Sequence, residues 1–329
     1  MHHPNDRWLL LLVIFLSVIS AARTQDSSAN QQSAKPEAQQ AAPAEDNGIF
    51  VFKKDVEEVA LHATVVDDRN HMVMNLPKTA FTVFENGRQQ TISSFRHEDI
   101  PVSMCIVIDN SGSMREKRDQ VNKAALNLVR ASNPQDEVCV VNFNDEYYLD
   151  QSFTNKISLL KQALEKVEAR GDTALYDAMV ATSNEMKAHA RLQKKVLFVV
   201  TDGEDNASRD SLEQTLRRLQ EDNGPTVYTI GLLGEERQKR ARRALNAIAE
   251  DTGGVAFFPK DIREVDEITR EVAHDIRNQY VIGYKPVLPK SEGGYRTVKV
   301  EAKAPGHGKL FVRTRTGYYA GQERAANGQ

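Results

Sequence analysis

A doubly wound, mostly parallel α/β sheet, inserted in or flanked by a small β-sandwich, is the fold class this sequence predicts. Three observations carry it. Unbroken apolar runs alternate with helical spacings between residues 101 and 277. Runs of period two lie before and after that stretch. Turn residues separate one run from the next. A strand covered on both faces reads as continuous apolar sequence, and strands that alternate with helices form a parallel sheet. With 329 residues the chain exceeds what one ordinary core requires.

Residues 8–19 are almost wholly apolar, follow Arg7 and precede Ser20-Ala21-Ala22. This is the pattern of an export signal over residues 1–22. The run is short for a membrane span, which needs about 20 residues. The expected location is therefore the periplasm, the cell surface or the medium, with membrane attachment only if the segment stays uncleaved. Residues 23–47 are rich in Ser, Ala, Gln and Pro, too polar to offset their ordering entropy, and predict a flexible linker.

Residues 48–100 predict a β-rich segment. Val59, Leu61, Ala63 and Val65 alternate with Ala60, His62 and Thr64. Phe81-Thr82-Val83-Phe84 and Thr91-Ile92-Ser93-Ser94-Phe95 flank Asn86-Gly87, a pair that tolerates the positive φ of a tight hairpin. Residues 101–277 then read as the α/β domain. Met104-Cys105-Ile106-Val107-Ile108, Val138-Cys139-Val140-Val141, Val196-Leu197-Phe198-Val199-Val200 and Val227-Tyr228-Thr229-Ile230 are buried strands, with a short one at Val255-Ala256-Phe257-Phe258. Helical spacing connects them, as in Val121, Ala124, Ala125, Leu128 and Val129. A last helix is expected from about Ile262 to Arg277. Residues 278–320 return to period two, with Tyr280-Val281-Ile282-Gly283-Tyr284 and then Val298, Val300 and Ala302. They complete the sandwich, and 321–329 form a tail.

The formal net charge is -3, which gives no field for nucleic acid. Lys239-Arg240-Ala241-Arg242-Arg243 sits in a helical pattern and reads as a solvated face. The two cysteines, Cys105 and Cys139, lie inside strands and read as small buried apolar groups, although export permits a disulfide.

The chemistry gathers at three loops. The strand ending at Ile108 runs into Asp109-Asn110-Ser111-Gly112-Ser113, and the strand ending at Val200 runs into Thr201-Asp202-Gly203. Gly171-Asp172-Thr173 precedes a helix. In an open parallel sheet, ligands gather beyond the carboxyl ends of the strands. Asp109, Ser111, Ser113, Thr173 and Asp202 all offer oxygen, the donor that hard divalent cations prefer. Two carboxylates neutralise such an ion without saturating it, so it can accept an outside carboxylate. A helix beginning near Ser113 would add a positive end. Singly, each residue has a plainer reading. Ser113 and Glu116 fit a capping box, Thr173 fits an N-cap, and Asp202-Gly203 fits a turn. Glu204 and Asp205 fit a solvated acidic loop.

In order and spacing, Asp109-x-Ser111-x-Ser113, Thr173 and Asp202 resemble the metal-ion-dependent adhesion site of von Willebrand factor A domains. The resemblance covers residues 101–277, and the flanking β segments resemble the bacterial exported VWFA-related type. It implies that Asp109, Ser111, Ser113 and Thr173 contact the ion directly or through water, and that Asp202 acts through water. It implies Mg2+, with Mn2+ or Ca2+ as alternatives, and a protein partner that presents Asp or Glu to the metal. Asp172 departs from the pattern, where many relatives carry Gly. No enzyme activity is expected, since none of the 8 His lies in the three loops and no nucleophile elbow, zinc-protease or P-loop motif occurs. The alternatives are a surface protein whose metal only stabilises the fold, and a metal-dependent hydrolase.

Overall fold

The structure, a computed structural model, describes residues 58–97, 99–165, 169–233 and 239–321. The expected export signal and linker, and almost all of the expected tail, lie outside the described residues. Among those described, no helix is long and apolar enough to cross a membrane.

Four strands come first: β1 (Val59–Val66), β2 (Phe81–Glu85), β3 (Arg88–Gln90) and β4 (Ile92–Arg96). The α/β stretch follows, with β5 (Val102–Asp109), α1 (Arg118–Arg130), β6 (Glu137–Phe143), β7 (Tyr147–Thr154) and α2 (Ile157–Glu165). It continues through α3 (Leu175–His189), β8 (Lys194–Thr201), α4 (Leu212–Leu219), β9 (Thr226–Gly231), α5 (Lys239–Thr252), β10 (Ala256–Phe257) and α6 (Val265–Arg277). The chain closes with β11 (Tyr280–Tyr284), β12 (Gly294–Ala302), β13 (Phe311–Arg313) and β14 (Gly317–Ala320).

Six strands form the central sheet in the order β10-β9-β8-β5-β6-β7. All neighbours pair parallel except β6 with β7. Every residue of β5, β6, β8 and β9 is at least half-buried, and β5 and β6 are buried throughout, as their unbroken apolar runs require. Met104, Ile106 and Ile108 of β5 pack with α1, α2 and α6. Cys105 and Val107 point the other way, towards α3, α4 and α5. The sheet is therefore doubly wound.

The flanking segments build two four-stranded sheets, β13-β1-β11-β4 and β14-β12-β2-β3. Each contains strands from both sides of the α/β stretch, so the sandwich closes only after the domain between its halves has been traversed. Val59, Leu61, Ala63 and Val65, with Tyr280 and Ile282 beside them in the same sheet, meet Phe81, Val83, Val298 and Val300 of the other sheet in one core.

Three local readings are corrected. Asn86 and Gly87 both adopt positive φ, at 49° and 75°, so the hairpin turn has only two residues and pairing resumes at Arg88. The hairpin partner is β3, and β4 (which holds Ile92 to Phe95) crosses to the other sheet to pair with β11. The antiparallel edge strand β7 was not anticipated, because its largely solvent-facing residues show no clean alternation.

The third correction concerns the cysteines. Cys105 and Cys139 stand opposite each other in adjacent parallel strands, with Cα atoms 4.6 Å apart, and their sulfurs are bonded. They are fully buried as expected, but as a disulfide rather than as two separate apolar groups. The bond closes a 34-residue separation. On the loop-entropy argument, reducing it in the unfolded chain is expected to lower stability by about 2–4 kcal/mol. Urea unfolding of the oxidised and the reduced, alkylated protein measures this; coincident curves would refute it.

Candidate metal centre

The carboxyl end of β5 delivers Asp109 to the sheet rim, fully buried. Its Oδ1 accepts the Ser111 N–H at 2.8 Å, and its Oδ2 accepts the Thr201 hydroxyl at 2.6 Å. Burial raises the Asp109 carboxyl above its ordinary range; the Thr201 and Ser111 hydrogen bonds act against that rise. A carboxylate placed there favours a cation nearby.

Backbone bonds hold the next loop in register. Asn110 N–H donates to the Phe143 carbonyl, Arg170 N–H to the Asn110 carbonyl, and Gly112 N–H to the Gly171 carbonyl at 3.1 Å. The residue 171 turn is thereby tied to the Asp109 loop. Gly171 sits at φ +74°, and a Cβ there would lie 2.3 Å from a carboxylate oxygen of Asp145, so a side chain would be strained and would have to displace Asp145. Asp145 itself accepts the Asp172 N–H.

Ser111, Ser113 and Asp202 form a chain of contacts. The Ser111 and Ser113 hydroxyls lie 3.2 Å apart, and Ser113 donates to Asp202 Oδ1 at 2.7 Å. Thr173 joins them from the third loop. It is 5% exposed, its N–H donates to Asn206 Oδ1 at 2.8 Å, and its hydroxyl lies 3.3 Å from the position of a Cβ on Gly203. All five residues named from the sequence thus meet at one rim. Asp109, Ser111, Thr173 and Asp202 are buried, and Ser113 is exposed.

Several plainer readings fall. The turn over Gly112–Met114 is 3-10, and α1 begins only at Arg118, with no side-chain cap. Ser113 spends its hydroxyl on Asp202, not on a capping box with Glu116. The α1 N-terminus consequently starts five residues beyond Ser113, and the sequence reading that placed a helix end there is corrected. Thr173 caps nothing: the N-cap of α3 is Ala174, without a side-chain bond. Asp205 instead accepts the Tyr176 N–H in the first turn of α3 and the Ser208 hydroxyl, and Glu204 pairs with Arg240 at 3.1 Å. Asp172 is exposed.

Two contributors escaped the sequence reading. Lys117 sets its ammonium on Asp202 Oδ2, bringing a positive charge to the rim. It stands four residues beyond Ser113, one helical turn in spacing, which is a weak signal by itself. Behind the site, Arg118 is 5% exposed, and burial holds its guanidinium down to about 10, against the pull of Asp109, Asp150 and Asp119.

Among the described residues there is no cluster of three or more His, Cys, Asp and Glu side chains able to hold a metal. The rim offers a different donor set, two carboxylates and three hydroxyls. That set fits a hard cation of the Mg2+ type and does not fit zinc.

The family model described as von Willebrand factor type A domain matches residues 103–271, just over half of the 329 residues. The chain belongs to the von Willebrand factor type A domain family. The match runs from the second residue of β5 into α6, so the VWA domain is the doubly wound part and the sandwich lies outside it. An uncharacterized protein of Synechocystis sp., sll0103, is 26% identical over 183 residues, 54% of this chain and 42% of that protein. The chain thus spans less than half the length of that relative. Among solved structures, a von Willebrand factor type A protein from Catenulispora acidiphila is 16% identical, covering 73% of each chain with a TM-score of 0.48. The vWF domain of the type V pili tip protein Mfa5 from Porphyromonas gingivalis is 13% identical, covering 55% of this chain and 97% of that one, with a TM-score of 0.45.

Proposed function

We propose that the VWA domain holds a divalent cation, Mg2+ or else Mn2+ or Ca2+, with Asp109, Ser111, Ser113, Thr173 and Asp202. The ion then binds an Asp or Glu of a protein partner outside the cell. The observation that carries this reading is the meeting of five oxygen-bearing side chains from three separate loops at one rim. Family membership supports a protein-interaction role. Two carboxylates leave the ion electrophilic enough to take a third from outside. Residues 1–22, with their export pattern, support a location in the periplasm, at the surface or in the medium. Binding rather than catalysis is proposed because the three loops hold no His and supply no poised base or nucleophile.

The test uses protein purified from the native envelope fraction. A partner should be retained in Mg2+, lost in chelator, and lost from Thr173→Ala in Mg2+. Retention of the same partner in chelator and by the variant would refute the proposal. A metal that merely stiffens the fold predicts instead a Mg2+-dependent rise in melting temperature with no competition from acidic peptides.

Lys117 supplies a separate check. Its ammonium competes with an incoming ion for Asp202, so Lys117→Met is expected to tighten Mg2+ binding by about three- to tenfold. Calorimetric titration measures it, and weaker binding in the variant would show that Lys117 supports the site instead.

A further inference from the structure

At the end of the central sheet opposite Asp109, the VWA domain and the sandwich enclose a second cavity, of about 490 Å3. That volume suits a small organic molecule. Among the described residues, its lining includes five basic side chains, His62, Arg96, Arg191, Lys195 and Arg315, and one carboxylate, Glu58. Glu58 Oε1 accepts the Ser93 and Ser94 hydroxyls at 2.5 and 2.9 Å, neutral donors that hold the carboxylate in position and leave its charge in place.

The basic groups differ in what holds them. Arg191 is turned to Glu137, with Nε to Oε2 at 2.8 Å. Arg315 donates to the Glu221 carbonyl at 3.0 Å, a neutral partner that leaves its charge in place. Arg96 makes no ion pair within 4.0 Å among the described residues. Among the described residues, and with Arg191 set against Glu137, Arg96 and Arg315 outweigh the one carboxylate of the lining. The walls register this. Burial, and then Lys194, Arg315 and Arg96, push His62 down to about 3, so it stands neutral in a positive field. Burial lowers the Arg315 guanidinium too, with Asp222 the first group acting against it.

Holding several cations in one partly enclosed space is unfavourable unless an anion joins them. Guanidinium forks match the oxygens of phosphate and sulfate bidentately. We infer that this cavity binds a small molecule carrying an anionic tetrahedral oxygen group, a phosphate or sulfate ester, chiefly through Arg96 and Arg315. Strands β1, β4 and β11 of the sandwich and the start of β8 in the VWA domain all contribute to the lining. Such a ligand would bridge the two parts of the molecule, at the opposite end of the sheet from the metal rim.

The experiment titrates inorganic phosphate, sulfate and acetate, each against chloride of equal ionic strength, into the full-length protein in chelator. Calorimetry and melting temperature are the readouts. Phosphate or sulfate should saturate one site per chain and raise the melting temperature, and whichever binds more tightly names the ester. Arg96→Gln should weaken that binding at least tenfold. Arg96 is exposed and carries no ion pair among the described residues, so this variant should fold, and an unchanged melting temperature without anion verifies it. Arg315→Gln should act likewise. Asp109→Asn should leave anion binding intact, which separates this site from the metal rim. No binding beyond the chloride control, acetate binding as tightly as phosphate and sulfate, or undiminished binding by Arg96→Gln would each overturn the inference.

Discussion

Asp109→Asn is expected to lower the affinity for Mg2+ or Mn2+ by more than about 100-fold. Asp109 is one of the two carboxylates in the proposed ligand set, so the change halves the negative charge that this set offers the ion. Ser111 N–H and the Thr201 hydroxyl bond to separate oxygens of Asp109 in the native site; asparagine keeps one oxygen for the Ser111 N–H, and its amide N–H can donate to the Thr201 hydroxyl oxygen instead. Alanine would leave both donors unpaired, at about 1–3 kcal/mol each, and would mix a folding defect into the result. Burial raises the Asp109 carboxyl, so removing its charge also relieves a cost in the metal-free protein. In chelator the variant should therefore unfold no earlier than the native chain. Calorimetric titration of Mn2+ into metal-stripped protein gives the affinity, and thermal unfolding in chelator gives the control. A variant that still binds Mn2+ within a factor of a few would remove Asp109 from the metal centre.

Arg296→Met should cost about 3–5 kcal/mol of stability, and it should do so without touching the metal rim. Arg296 is 2% exposed within the sandwich. Its guanidinium lies 3.4 Å from Glu85 Oε1 and donates to the carbonyls of Leu288 and Pro289 at 2.7 and 2.6 Å. The other Glu85 oxygen accepts the Tyr284 and Tyr318 hydroxyls at 2.6 and 2.9 Å. Burial, then the Glu85 hydrogen bond, raises both phenols, so they remain donors at any physiological pH. Removing the arginine strands a buried carboxylate beside them. Adding Glu85→Gln to the same chain should recover part of the loss, because glutamine accepts the phenolic protons without a net charge. Urea unfolding of the two variants decides the matter. A loss under 1 kcal/mol from Arg296→Met, or no recovery in the double variant, would mean that the cluster contributes little.

The central sheet was legible because burial on both faces leaves a strand no choice but continuous apolar sequence, as in Met104 to Ile108. The meeting of the candidate ligands was legible for a related reason. Each stands where a readable strand ends or a readable helix begins, so the topology alone sends Asp109, Thr173 and Asp202 to the same rim. What stayed hidden depends on tertiary contacts. Strand β7 lies at an edge and faces solvent, so its side chains carry no period. The Asn86-Gly87 turn was evident, yet whether Arg88 or Thr91 resumed pairing depended on how many residues the turn consumed. Two cysteines 34 residues apart become partners only through the register of β5 against β6. Lys117 and Thr201 act through side-chain reach across the rim, which spacing along the chain does not encode.

The VWA domain enters through β4 and leaves into β11, and these two strands are hydrogen-bonded neighbours in one sheet. Both junctions lie away from the rim: Lys194, at the start of β8, donates to the Ile276 carbonyl at the end of α6. A tug applied by a partner on the ion would run down β5 and α6 and arrive at two antiparallel strands side by side. Asp275 of α6 adds a lateral brace, taking the Thr64 hydroxyl at 2.7 Å and the Tyr228 hydroxyl at 2.8 Å. If the proposed partner pulls on the ion, these two strands and this brace are where the sandwich would receive the load.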